Sequence, residues 1–413
     1  MNSDWLSTNL GQFVRLQRGH DLTASEQASG NVPIMGSAGQ NGTHNKALAS
    51  GPGVVVGRSG ASAGRVHFSE VDYWPHNTCL YVTDFLGNNP RFAYYFLQTL
   101  DLASFNSGSA QPSLNRNYLY TISVKIPPRH EQDAIAELLK ALDDRITLLR
   151  ETNAALEAIA QALFKSWFVD FDPVCAKMEG RTPEGMDEAT AALFPDRLDE
   201  SGKAARGWAI RTLADVSLVG IGKTPPRKEQ HWFSQDQSDV PWVSIRDMGA
   251  GGVYGSSTSE FLTREAVERF NVRRVPDNTV LMSFKMTIGR VMITDGEMTT
   301  NEAIAHFKLD SSAQLTTEYI YLHLRQFDYS TLSSTSSIAD AVNSKMVREI
   351  PILVPSPEVV AAFQSHISVL FEKLKNTERQ ARSLVELRDT LLSRLISGQL
   401  RLGGAVPKIE LAA

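Results

Sequence analysis

From residue 135 to residue 167, apolar positions recur in alternating steps of four and three: Ile135, Leu139, Leu142, Ile146, Leu149, Asn153, Leu156, Ala160, Leu163 and Trp167. That spacing is an a/d heptad seam and predicts one long amphipathic helix. The seam returns 228 residues later, in the same register, as Phe363, Ile367, Leu370, Leu374, Thr377, Ala381, Leu384, Arg388, Leu391 and Leu395. Thr377 and Arg388 weaken the second copy, and Asn153 interrupts the first. A polar seam residue either fixes register at a cost in stability or sits at a crossing open to water, and both readings of Asn153 stand.

A matched series of shorter patterns precedes each helix. Trp5 and Leu10 recur at the same spacing as Trp208 and Leu213, and Gly64-Arg65-Val66 recurs as Gly289-Arg290-Val291. The runs Val54–Val56 and Thr279–Met282 read as buried strands. Helical patterns follow at Phe92 to Leu100 and Tyr319 to Phe327, then the apolar-proline stretches Val124–Pro128 and Ile350–Pro355. The chain is therefore an internal repeat. It divides into a globular domain (1–128), a helix (129–170), a linker (171–206), a second globular domain (207–355), a second helix (356–402) and a tail (403–413). The linker carries Pro173, Pro183, Gly185, Pro195 and Gly202, with a short helix expected from Asp187 to Leu193.

A helix of about 33 residues is roughly 50 Å long and must bury its seam, most simply against its own copy. The expected fold is α+β: two similar mixed α/β domains joined by two long antiparallel spacer helices about a pseudo-two-fold axis. Two-fold readers of DNA contact two half-sites at a set spacing. Two readers that differ in sequence would read an asymmetric, bipartite target.

Composition adjusts this picture little. The 413 residues are 42 % apolar and 21 % charged, typical of a globular protein. No apolar run is long enough to span a bilayer, and no signal pattern opens the chain. The two cysteines, Cys79 and Cys175, fit a reducing cytoplasm. The nine histidines never fall within four positions of one another, which argues against a sequence-local zinc site. The net charge of −5 is unusual for a DNA binder, but residues 129–172 hold 9 acidic and 5 basic side chains, so the surplus of acid over base sits largely outside the domains.

The junction Leu163-Phe164-Lys165-Ser166-Trp167-Phe168-Val169-Asp170-Phe171-Asp172-Pro173, continuing through Ala176–Gly180, Pro183–Met186 and Leu193–Asp196, closely resembles the central conserved region of Type I restriction–modification specificity subunits. Leu391–Leu400 resembles their distal conserved region. The resemblance spans essentially the whole chain. It implies two target-recognition domains and two spacer helices. It also implies modification (methyltransferase) subunits docked around the spacer, with restriction (ATP-dependent translocase/nuclease) subunits joining through them. Adenine methylation and ATP-driven cleavage would belong to those partners, with S-adenosylmethionine, ATP and Mg as their cofactors.

Major-groove reading uses Arg or Lys for guanine and Asn or Gln for adenine, with Ser or Thr as adaptable partners. On polar, glycine-bearing loops the first domain offers Gln40, Asn41, Arg58, Ser59, Arg65, Gln111, Asn115 and Arg116. The second offers Lys223, Arg227, Arg246, Lys285, Arg290, Asn343 and Lys345. Arg65 and Arg290 occupy matched places in the repeat, though Gly-Arg-Val could also simply end a turn and start a strand. Trp167, Phe168, Leu391 and Leu395 are candidate core or subunit-interface residues.

Catalytic patterns are missing. Gly222-Lys223-Thr224 lacks the earlier glycine of a phosphate loop, Ser217 standing there, and Pro225-Pro226 blocks the following helix. No lysine has Asp or Glu two residues before it, the spacing many restriction nucleases use. Neither Pro-Pro pair has the flanking residues of an adenine methyltransferase motif, and no metal site is expected. The alternatives are a stand-alone sequence-specific DNA-binding regulator and the reading half of a methyltransferase–nuclease.

Overall fold

The computed structural model describes residues 4–105, 113–200, 202–249, 251–332 and 342–402. The chain forms two compact units, Met1–Thr147 with Arg382–Ala413, and Leu148–Ala381.

In the first unit the opening strand Leu6–Asn9 pairs antiparallel with Ser123–Ile126, Leu6 facing Ile126 and Asn9 facing Ser123. This ladder brings the start of the domain to the strand that precedes the long helix. Between them lies an antiparallel four-stranded sheet in the order Arg15–Arg18, Cys79–Asp84, Gly53–Gly57, Val66–Ser69. Strand side chains alternate between faces. Val54 and Val56 enter the main core with Phe13, Leu80, Phe92 and Phe96, whereas Val55 enters a second core with Met35, Tyr73, Cys79 and Tyr81. Both faces are covered, so Gly53–Gly57 reads as an uninterrupted apolar run. The covering helix Pro90–Gln98 begins with proline in its first turn, and the Asn89 side chain accepts the Arg91 and Phe92 amides.

The second unit repeats this logic. Ala209–Thr212 pairs antiparallel with Pro351–Val354. A five-stranded sheet follows the order Leu218–Ile221, Ile304–Lys308, Val280–Ser283, Val291–Thr294, Tyr254–Gly255. Val280 and Met282 face the main core and Leu281 a separate one with Met248, Met292 and Met298. The helix Thr317–Gln326, capped by Thr316, buries Tyr319, Ile320, Leu322 and Leu324.

The two long helices, Arg129–Phe168 and Pro357–Ile396, have 40 residues each, about 60 Å at 1.5 Å per residue. Each begins six residues before its seam, just past the prolines that follow a strand, Pro127-Pro128 and Pro355; Pro357, which lacks an N–H, suits the first turn of the second. No seam residue on either helix is exposed. Within each unit the pairing is antiparallel. In the first, Ile135 and Leu139 share a core with Leu395, while Asp143 meets Arg388. In the second, Asn153 meets Thr377, and Phe164 lies 6.0 Å from Phe363. Each helix gives its halves to different units, so the compact units cut through both helices rather than falling at their ends.

The polar seam residues find partners. The Arg388 guanidinium bonds Asp143 at 2.8 Å, and the buried Tyr95 hydroxyl donates to the same carboxylate at 2.6 Å. The Thr377 hydroxyl bonds the Asn153 side-chain amide, which favours the register-fixing role for Asn153. In the second unit, Glu157 accepts from Tyr321 and Arg325, and Glu378 accepts the Val253 and Tyr254 amides at 2.7 and 2.9 Å.

The stretch 171–206 is packed rather than loose. Phe171, Val174, Phe194, Ala204 and Ala205 join a core with Trp167, Phe168 and Trp208. Lys177 donates to the Ala191 and Phe194 carbonyls near the end of the short helix Glu188–Leu193, which Asp187 caps.

Candidate nucleic-acid interface

In the first unit three of the candidate stretches converge. The Ser59 amide donates to Ser37 Oγ at 3.3 Å, the Leu114 amide to the Arg58 carbonyl at 2.8 Å, and Ser59 bridges to Ser113. His67 bonds the Ser37 carbonyl and lies beside Gly39, drawing the strand Gly39–His44 to the same place. Gln40 and Asn41 lie exposed on that strand. Arg58 spends one nitrogen on the Asn77 carbonyl at 3.0 Å. Arg65 is exposed, and its guanidinium has no hydrogen bond or ion pair among the described residues. Arg116 reaches back to the Leu16 carbonyl at 3.2 Å. Gln111 lies outside the described residues.

In the second unit Arg290 donates to the Ile245 carbonyl at 2.6 Å, tying the loop 284–289 to the short helix Ile245–Met248. Arg246 on that helix is exposed, as are Lys223 and Lys285, whose Nζ sits 5.6 Å from the centre of the Phe284 ring. The neighbouring Asp247 carboxylate is turned inward to the Ser244 and Ser259 amides. These bonds, together with the Ser244 hydroxyl, hold Asp247 below the ordinary carboxylate range against the opposing effect of burial.

Gly64 and Gly289 both adopt left-handed backbone, at φ +86° and +83°, and Val66 and Val291 then open equivalent strands. A Cβ on Gly289 would lie 2.7 Å from the Tyr329 ring, and one on Gly64 2.8 Å from the Ala103 amide nitrogen. The glycine of Gly-Arg-Val therefore makes a turn, while its arginine differs between copies, free in one and anchored in the other.

Several candidates have other tasks. Arg227 is paired with both Glu260 oxygens at 2.9 and 2.8 Å and lies over Phe233 and Trp242, so its fork is already filled. Asn115 and Asn343 cap the helices Arg116–Leu119 and Ser344–Arg348, using the side-chain oxygens that a base would need. Lys345 faces Glu349 at 3.8 Å. Of the two readings, core or subunit interface, Trp167, Phe168 and Leu395 take the first: all three are buried in the chain's own cores, and Leu391 packs partly buried against the core that holds Leu395.

The sequence profile of the Type I restriction modification DNA specificity domain matches residues 2–158 and 205–387, both copies of the repeat. The chain belongs to this specificity-domain family. A Type I restriction enzyme HindI specificity subunit from Haemophilus influenzae is 29 % identical over 344 residues, covering 72 % of this chain and 73 % of the relative. A Type I restriction enzyme MjaIX specificity subunit from Methanocaldococcus jannaschii is 25 % identical over 327 residues, covering 75 % and 69 %. The crystal structure of a Type I restriction–modification S subunit from M. genitalium shares the specificity-domain fold, with a TM-score of 0.57 at 17 % identity over 96 % of each chain. No helix among the described residues of this specificity-domain chain is long and apolar enough to cross a membrane.

Proposed function

We propose that this chain is the DNA-sequence specificity subunit of a Type I restriction–modification complex. Each unit reads one half of an asymmetric bipartite target, and the chain carries no catalytic group of its own. The observation that supports this most is that equivalent strands, Gly53–Gly57 with Val66–Ser69 and Val280–Ser283 with Val291–Thr294, carry different loops. The frame is shared and the readers differ, as two unlike half-sites require. Modification and restriction subunits are its proposed protein partners, S-adenosylmethionine, ATP and Mg belong to them, and the setting is the cytoplasm.

The test is to map methylated adenines in DNA from cells expressing this chain with its modification subunits, beside a methyl-transfer assay on the pure chain. The expected result is an asymmetric two-part site and no transfer by the pure chain. Methylation by the pure chain, or a continuous palindromic site, would overturn the proposal.

A further inference from the structure

Met286 stands at the tip of the loop between Val280–Ser283 and Val291–Thr294, with 96 % of its surface exposed. It is held at φ +59°, a backbone conformation that non-glycine residues rarely adopt. The loop beneath it is tied down. The Thr287 amide donates to the Lys285 carbonyl at 2.7 Å and the Gly289 amide to the Ser283 carbonyl at 3.0 Å. The Ser283 hydroxyl donates to the Thr287 carbonyl at 2.5 Å, and the Phe284 amide bonds the Ala303 carbonyl at 2.9 Å. An unbranched apolar side chain is thus presented to solvent on an ordered turn. Ile288, 41 % exposed, widens the apolar tip. Lys285 of the same loop is exposed, and so is Arg246 on the short helix to which Arg290 ties the loop. The Asp247 carboxylate, the nearest acid in sequence to Arg246, is already engaged by backbone amides. An ordered apolar tip among cations suits a polyanion with an apolar interior between its stacked bases. Methionine is among the side chains that enter base steps as wedges.

We propose that Met286 is a wedge that enters one base step of the half-site read by the second unit, with the exposed Lys285 and Arg246 on the flanking phosphates. This rests on the DNA-reading function above. The equivalent loop of the first unit carries no such residue: it reads Ser59, Gly60, Ala61, Ser62 and Ala63. Only one half-site should therefore be unstacked, and the other serves as an internal control.

The experiment uses the full chain with its modification subunits and a duplex bearing the mapped target. 2-Aminopurine, which pairs with thymine, replaces each adenine in turn, except an adenine that becomes methylated and any adenine next to it, since methyltransferases take their target base out of the stack. One step in a single half-site should brighten on binding. Met286→Ala and Met286→Asn, the latter chosen because asparagine tolerates left-handed backbone, should lose that brightening, whereas Met286→Leu should keep it. Met286 should also be oxidised by peroxide in the complex without DNA and protected once DNA is added. A complex that binds and methylates its target with no brightened step, or with one that persists in Met286→Ala and Met286→Asn, would overturn the wedge while leaving the DNA-reading function intact. Protection of Met286 before DNA is added would mean that a protein partner covers it, and would equally overturn the proposal. Loss of all target binding by the wild-type complex would take down the underlying reading as well.

Discussion

Replacing Asp143 by alanine tests how the second helix tolerates an arginine in its seam. The Asp143 carboxylate accepts from Tyr95 at 2.6 Å and Arg388 at 2.8 Å, and its side chain is 28 % exposed against 26 % for Arg388. Breaking a fully buried ion pair costs about 3–5 kcal/mol, and an exposed pair is worth about 0–1 kcal/mol. At this intermediate exposure, with Asp389 still bonded to Arg388 at 2.7 Å, we assign about 1–2 kcal/mol. The Tyr95 hydroxyl loses its acceptor and adds about 1 kcal/mol. Asp143→Ala should therefore lower stability by about 2–3 kcal/mol, which at a urea slope of roughly 2 kcal/mol/M moves the midpoint down by about 1 M. Arg388→Leu removes the cation and supplies the seam residue that the heptad pattern expects. The double variant Asp143→Ala/Arg388→Leu should recover part of the loss, with a coupling energy of about 1–2 kcal/mol in the double-mutant cycle. Urea unfolding followed by circular dichroism on all four proteins measures it. A midpoint shift below about 0.2 M for Asp143→Ala, or additivity of the two changes, would refute the idea that the pair secures this part of the seam.

Other expectations follow from the same structure. Thr377→Val should destabilise by about 1–2 kcal/mol by leaving the Asn153 amide unpaired, and Asn153→Leu added to it should restore stability, as thermal unfolding would show. Burial lowers His306 and His323 to about 4, well below their ordinary value. Between pH 6.5 and 4 the unfolded chain then binds more protons, so stability is fully present above pH 6.5 and falls by roughly 1.4 kcal/mol per pH unit for each histidine as the pH drops. A flat urea midpoint across that range would count against both burials. Gly289→Ala forces a Cβ against Tyr329 at positive φ and should cost about 1–3 kcal/mol, where Gly296→Ala, with open space at its Cβ, should cost less. Arg65→Ala should weaken DNA binding by the assembled complex and flatten its salt dependence without changing stability. Arg290→Ala should weaken binding and also loosen the Ile245–Met248 helix, seen as faster amide exchange there.

The features legible in the sequence are those with a local period. The heptads register residue by residue because a helix repeats its face within a few positions, and Val54–Val56 and Val280–Met282 read as strands because both of their faces are buried. The matched Gly-Arg-Val turns were visible as a repeat. Pairings across long separations were not. Nothing near Arg227 announces Glu260, and the grip of Glu378 on the Val253 and Tyr254 amides joins positions far apart in the chain. Proline and glycine suggested a linker at 171–206 holding one short helix. The aromatic residues spread through it bury themselves, because Phe171 and Phe194 meet the rings of Trp167 and Trp208 only once the chain is folded. Met286 lies in the candidate loop of Lys285 and Arg290, but an apolar side chain is not a type that pairs with base edges, and only the three-dimensional turn shows it pointing out.

The central claim is that reading is divided between two independent units on a shared frame. Its most direct measurement is to exchange residues 1–128 for the corresponding domain of another specificity subunit and to map methylated adenines in cells that express the hybrid with its modification subunits. One half of the target should change and the other half should remain. A hybrid that is active yet alters both halves, or neither, would contradict the account.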